Sequence, residues 1–209
     1  MGLYYTLDKF NVFYNRLRNE IIAGIVDNLL IDILLSINRD INLFTTSSCS
    51  GRISFICTME GKESKPGARL GSIHGLVDHD NLISKIAQNI RTCEASLIIR
   101  LRGFILDVFS KDLAGIQRLH KIFAKLGFKG FQMKSFGKDG FIIEYASSLR
   151  LDIPVKVGNN LLLNINDKAS VSSLCYFLLA YLYRNIIEVN IYRLGIWYSY
   201  MGNDDATLK

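Results

Sequence analysis

The 209-residue sequence holds only 4 Cys, 3 His, 2 Pro and 1 Trp. No pair among Cys49, Cys57, Cys93 and Cys175 has C-x-x-C spacing, and histidine is scarce. A structural zinc site has no support, and no metal is expected. The scattered cysteines read as reduced thiols in a reducing compartment. Low proline beside an ordinary 16 Gly excludes collagen-like and low-complexity classes. No G-x-G-x-x-G follows a strand candidate, so a dinucleotide site is unsupported and the chain does not read as a Rossmann fold. Long apolar runs are also missing. The longest, Ala169–Tyr183, is uncharged for 15 residues before Arg184 and Glu188 follow. A span needs about 20, so this is a buried helix and no membrane partner is expected. Asp8 comes early and no apolar stretch follows a basic start, so no signal peptide is expected. Met1–Thr6 fits the myristoylation pattern, a short match common by chance. The resulting expectation is a cytoplasmic protein.

What is present is a foldable core. Hydrophobic residues make up 49% and charged residues 21%, which excludes disorder as the main state. The net charge is +6 with pI about 9.1, a balance that favours polyanionic partners, nucleic acid first.

Phe10, Phe13, Leu17, Ile21, Ile25, Leu29 and Ile33 recur at steps of three and four, the signature of an amphipathic helix. Gly24 interrupts it and predicts two helices, about 8–22 and 25–38. Strand candidates are Ile41–Thr46, Arg52–Thr58, Gly71–Val77, Ala95–Arg100, Phe104–Phe109, Gly130–Ser135, Phe141–Ala146 and Leu151–Val157, with a short edge at Leu161–Asn164. Glu60–Leu70 is a polar loop. Helices are expected over Asn81–Thr92 with Asp80 as N-cap, over Asp112–Leu126 closed by Gly127, and over Lys168–Arg193. The order predicts an α+β fold with a mixed sheet and packed helices. Helix–βββ–helix blocks at about 8–92 and 111–193 make a duplicated architecture a candidate. Residues 1–194 read as a single α+β catalytic domain, and 195–209 as a mobile tail.

The most unusual stretch is Phe44–Arg52, with Thr45, Thr46, Ser47, Ser48, Cys49, Ser50, Gly51 and Arg52 in succession. A Ser- and Gly-rich turn can present N–H groups and hydroxyls in a concave nest, and Arg52 adds a fork for carboxylate or phosphate. The same residues also fit a Ser-rich hairpin turn with Arg52 as a surface charge. A second feature is the window between Asp112 and Asp139, which holds no acidic residue. Arg118, Lys121 and Lys125 share one helix face there, and Lys129, Lys134 and Lys138 follow. The window reads as a phosphate track or a solvated face, and Arg91, Arg100 and Arg102 are candidates to extend it.

TTSSCSGR resembles the signature of the tRNA wybutosine-synthesizing protein 3 family. Further matches are Gly24–Asp27 (glycine–x–Val-Asp), Ile37-Asn38, Val77-Asp78-His79 (V-x-H), Phe104–Val108 before a helix starting Lys111–Leu113, Gly127-Phe128 and Leu151–Pro154. They run from about residue 9 to 194. Three positions depart from the family: Ala23 replaces Lys, His74 stands where an aromatic is usual, and Phe131-Gln132 replace Ser-Gly.

The resemblance implies an enzyme using S-adenosyl-L-methionine to methylate the N(4) ring nitrogen of the tricyclic base (7-aminocarboxypropyl-demethylwyosine) at position 37 of tRNA-Phe, with the anticodon stem-loop as partner. Such transfer needs alignment of nitrogen, methyl and sulfur, and a destination for a proton. His79 is the catalytic candidate, since an unperturbed imidazole titrates near 6.5; a capping histidine at a helix start is the other reading. Asp27, Ser47, Ser48, Cys49, Ser50, Gly51 and Arg52 are candidates for cofactor or substrate binding. Asp27 serves equally as a helix N-terminal carboxylate. Arg118, Lys121, Lys125 and Lys129 are candidates for the tRNA backbone. His120, within the basic helix, reads as solvated. Two other functions stay open: a noncatalytic RNA-binding protein that keeps the pocket, and a thiol-dependent hydrolase using Cys49.

Overall fold

A computed structural model describes residues 2–58, 68–75, 77–126, 131–164 and 166–204. The helices are α1 (Gly2–Ile22), α2 (Ile31–Ile37), α3 (His79–Thr92), α4 (Leu113–Lys125) and α5 (Lys168–Asp204). The strands are β1 (Leu43–Cys49), β2 (Arg52–Thr58), β3 (Ala68–His74), β4 (Ser96–Arg102), β5 (Ile105–Ser110), β6 (Gln132–Gly137), β7 (Gly140–Ala146), β8 (Arg150–Val157) and β9 (Asn160–Leu161).

The chain forms two compact units. Unit 1 draws on Met1–Ser50, Phe104–Ser147 and Ile186–Lys209; unit 2 on Gly51–Gly103 and Ser148–Asn185. Unit 1 holds a four-stranded sheet ordered β1-β5-β7-β6. Ile33, Leu34, Ile37, Phe104, Leu106, Phe123, Tyr145 and Val189 are buried in its core. Unit 2 holds a five-stranded sheet ordered β3-β2-β4-β8-β9. Ile53, Phe55, Leu82, Ile86, Leu97, Ile99, Leu101 and Leu178 fill its core.

The α+β class is as expected, but the single mixed sheet is not. Every ladder among the described residues is antiparallel. The strand–helix–strand segment β3-α3-β4 explains the difference. β3 and β4 run parallel, yet β2 lies between them, so no parallel ladder forms. The blocks at 8–92 and 111–193 are not the structural units either, because each unit is assembled from interleaved segments.

Local chemistry moved several boundaries. Gly24, at φ 67°, ends the first helix, as a left-handed glycine does. The second begins only at Ile31, because Asp27 Oδ1 accepts from the Leu29 N–H (3.0 Å) and holds the intervening turn. Asp78, not Asp80, caps α3: its side chain accepts from Asn81 N at 2.8 Å. Asp112 caps α4 by accepting from Gly115 N at 2.8 Å. Helix α5 continues through Gly195 to Asp204, where a tail was expected. A Cβ at Gly195 would collide with the Leu126 side chain, so this glycine provides packing room inside a helix. Gly127 and most of the Glu60–Leu70 loop lie outside the described residues.

Cys57 and Cys93 form a disulfide, with Cα atoms 5.6 Å apart. This corrects the expectation of four reduced thiols. The pairing has no sequence signal, since the two residues are 36 positions apart and meet only when α3 packs on its sheet.

Candidate active site

The signature stretch is not a turn. Ser47, Ser48 and Cys49 lie in β1, and only Ser50 and Gly51 stand between the strands. It is not a hairpin either: β1 pairs with β5, whereas β2 pairs with β3 and β4. A backbone nest over 47–49 is therefore excluded by extended geometry, and the hydroxyls of Ser47 and Ser48 act as side chains on a strand.

In unit 1, two of the predicted elements meet. Ser50, 3% exposed, donates its hydroxyl to Asp27 Oδ2 in a short hydrogen bond. With Oδ1 taken by Leu29, both Asp27 oxygens are engaged inside the protein. Asp27 thus clasps the end of β1 instead of standing at a helix N-terminus. Asn38, the C-cap of α2, performs the same service for Thr45 in β1. Its amide donates to Leu34 O (2.7 Å) and Thr45 Oγ1 (2.5 Å), and its carbonyl accepts from Thr45 N (3.1 Å). Asn38 and Thr45 are both buried, so this network leaves little unpaired and specifies one position for the strand.

Ser47, exposed, stands in register with Asp107 of β5, which pairs across with Glu144 of β7. Lys134, the extra residue of a bulge in β6, reaches both carboxylates: 2.9 and 3.1 Å to Asp107, 2.8 Å to Glu144. Hydrogen bonds to Glu144 and then to Asp107 raise the Lys134 pKa above its ordinary value. Lys134 is therefore paired within the unit. Asp107 and Glu144 were missed as site candidates. Their signal was a lone carboxylate in each of two apolar strands, ILDVF and FIIEYA.

In unit 2, Gly51 has φ 115°. A Cβ there would collide with the Asn185 amide and approach the Arg102 carbonyl oxygen to 2.9 Å. Conformation and packing both demand glycine, a reason unrelated to anion binding. Arg52, half-buried, starts β2 opposite His74 and Arg102. His79 is the first residue of α3. It does not cap the helix. Its ring lies 5.0 Å from the Tyr176 ring, and Nδ1 is 3.4 Å from Asp80 Oδ1. Nε2 is buried and has no hydrogen-bond partner among the described residues. Nδ1 of His120 in unit 1 is likewise buried without a hydrogen-bond partner among the described residues.

On α4 of unit 1, Arg118, Lys121 and Lys125 occupy one exposed face. Arg118 is paired with Asp40 at 3.0 Å. Lys129 lies outside the described residues. His120 is not solvated: it is half-buried, with its ring 4.9 Å from that of Phe131.

A family model described as Methyltransferase TYW3 matches residues 7–194. The chain belongs to this family. Two relatives carry an explicit activity in their names. The Methanocaldococcus jannaschii tRNA(Phe) 7-((3-amino-3-carboxypropyl)-4-demethylwyosine(37)-N(4))-methyltransferase is 28% identical over 149 residues, 71% of this chain and 75% of its own length. A Pyrococcus abyssi protein of the same name, numbered 1, is 37% identical over 130 residues, 62% of this chain and 65% of its own. For the fold, the solved structure of the PH1069 protein from Pyrococcus horikoshii aligns with TM-score 0.75 at 23% identity. It covers 94% of this chain and 98% of that one.

The TYW3 signature thus divides between the units. Thr45 to Ser50 belong to unit 1, held by Asn38 and Asp27; Gly51 and Arg52 belong to unit 2, which also holds His79.

Proposed function

We propose that this chain is an S-adenosyl-L-methionine-dependent tRNA methyltransferase acting on N(4) of the 7-aminocarboxypropyl-demethylwyosine base at position 37 of tRNA-Phe, with the anticodon stem-loop as its contact. The observation that carries the reading is the family match over residues 7–194 with TTSSCSGR intact inside it.

The donor sets fit this role. On β1, Ser47 stands beside the mixed-sign row Asp107–Lys134–Glu144 and suits a zwitterionic amino-acid group, with Cys49 two residues along the same face and Ser48 on the opposite one. When bound, S-adenosyl-L-methionine supplies the methyl group. In unit 2, His79 is assigned to accept the proton released from the base nitrogen, since its Nε2 has no hydrogen-bond partner among the described residues. Arg52 holds an anionic group, and the face of Arg118, Lys121 and Lys125 follows the tRNA backbone, with Lys129 continuing it in sequence. Asp27 and Ser50 hold the end of β1 in unit 1, and Gly51 precedes Arg52 in unit 2. No helix of the described residues is long and apolar enough to cross a membrane. A tRNA substrate supports a cytoplasmic site of action.

The test is incubation with labelled cofactor and tRNA-Phe lacking the final methyl, followed by nucleoside mass analysis. Methyl gain at the tricyclic base is expected. Cofactor binding without methyl gain would instead place the chain among proteins that keep the pocket and lack the activity.

A further inference from the structure

Unit 2 carries a second cationic feature, built by register and not by sequence proximity. Arg52 of β2 pairs directly with Arg102 of β4, and Arg102 pairs directly with Arg150 of β8. Residues directly opposite in an antiparallel ladder share a face. The three guanidinium groups therefore form one row across three strands, on the face away from the Ile53–Leu101 core positions. At a strand spacing of about 4.8 Å, the row is about 10 Å long. His74 of β3 continues it on the other side of Arg52.

The next row on the same face holds Arg100 opposite Asp152. Arg100 takes both carboxylate oxygens, at 2.9 and 2.8 Å. Among the described residues, Arg52, Arg102 and Arg150 make no ion pair within 4 Å. Partial burial first, then Arg150 and Arg100, hold the Arg102 pKa below its ordinary value, with Asp152 opposing. Like charges directly opposite on a sheet are destabilising. Three of them in one row leave an excess of positive charge on this face. One small anion cannot occupy three forks spread over about 10 Å; a chain of regularly spaced phosphates can.

We infer that the Arg52–Arg102–Arg150 row binds the phosphodiester backbone of the RNA substrate. The inference rests on the tRNA reading above for the identity of the polyanion. Arginine suits the task because its planar fork matches phosphate oxygens in pairs. The row is separate in sequence from the α4 lysines, and Arg102 and Arg150 lie outside the signature.

The test measures tRNA binding against salt for wild type, Arg150→Gln, Arg102→Gln/Arg150→Gln and the charge-keeping Arg102→Lys/Arg150→Lys. Each lost phosphate contact lowers the log–log slope by about 0.7–0.9, so the double Gln variant loses about 1.4–1.8. The Lys variant is expected to keep the slope. Arg150 is exposed, so its single variant serves if the double variant fails to fold. An unchanged slope in a natively melting Arg150→Gln overturns the inference. A second arm titrates inorganic phosphate against chloride at matched ionic strength. Thermal stabilisation by phosphate with an unchanged tRNA slope would assign the row to a small anion and also overturn it. Wild-type methyl transfer is assayed in parallel. Transfer with an unchanged slope defeats this inference alone, and a lowered slope without transfer defeats the methyltransferase reading alone.

Discussion

In unit 1, the row from Ser47 through Asp107 to Glu144 carries two carboxylates, and Lys134 sits between them. In unit 2, the row from Arg52 through Arg102 to Arg150 carries three guanidinium groups with no ion partner among the described residues. Both sheets are antiparallel and each has its own buried core. The contrast shows how one net charge of +6 hides two regimes. The unit 1 row pairs its charges internally; the unit 2 row holds three guanidinium groups that no carboxylate pairs among the described residues.

The largest expected effect separates chemistry from scaffold. His79→Gln should lower the single-turnover rate by about 10²–10⁴-fold, or about 3–5 kcal/mol of barrier, with tRNA affinity and melting unchanged. Rapid-quench kinetics reads it, and a drop below about fivefold rejects His79 as proton acceptor. Next comes the covalent tie of unit 2. Replacing Cys57 and Cys93 together by Ala should cost about 3–4 kcal/mol, given the 36-residue separation. Hydrogen exchange should show the loss in β2, β4 and β8 before β5 and β7; uniform loss would mean that the units unfold as one.

A smaller pair of substitutions tests the contrast itself. Lys134→Met leaves the nearly buried Asp107 carboxylate without its cation and should destabilise by about 1–3 kcal/mol. Arg150→Gln removes an exposed charge with no ion partner and should stay within about 0.5 kcal/mol. Denaturant melts of both variants decide it, and equal costs would erase the distinction between the units. Acid dependence is an effect of similar small size. The hydrogen bonds from Arg100 hold the Asp152 carboxyl below its ordinary value. A lowered folded-state pKa gives stability that is present above about pH 4 and is lost as pH falls through the folded value. Because Asp152 is one-third exposed, the contribution is at most about 1 kcal/mol. Asp152→Asn should flatten this part of the acid limb in a melting series between about pH 5 and 2.

Much of the element order was legible because period and capping are local. The runs RISFICT and LDIPVKV read as strands, and Leu82, Ile83, Ile86 and Ile90 marked one helical face. Boundaries failed where a distant partner intervened. Asp27 diverted residues that carry helical spacing, and Leu126 packed against a glycine that reads as a stop. At the candidate site, the signature, Asp27 and His79 stood out as residue types, but their roles did not. Asp27 became a clasp for Ser50, Gly51 a steric necessity, and Lys134 a counterion.

The sequence by itself determined the family, the helix and strand segments, the basic balance and the residues able to do chemistry, since all of these follow from composition, period and a short motif. Only the tertiary structure decided which strand pairs with which. From that came the division of TTSSCSGR between two units, the Cys57–Cys93 bond and the row of three arginines drawn from positions 52, 102 and 150. Register is a relation between segments up to about a hundred residues apart. No local property of any one segment encodes it, because a slip of one residue would turn every one of these side chains to the opposite face.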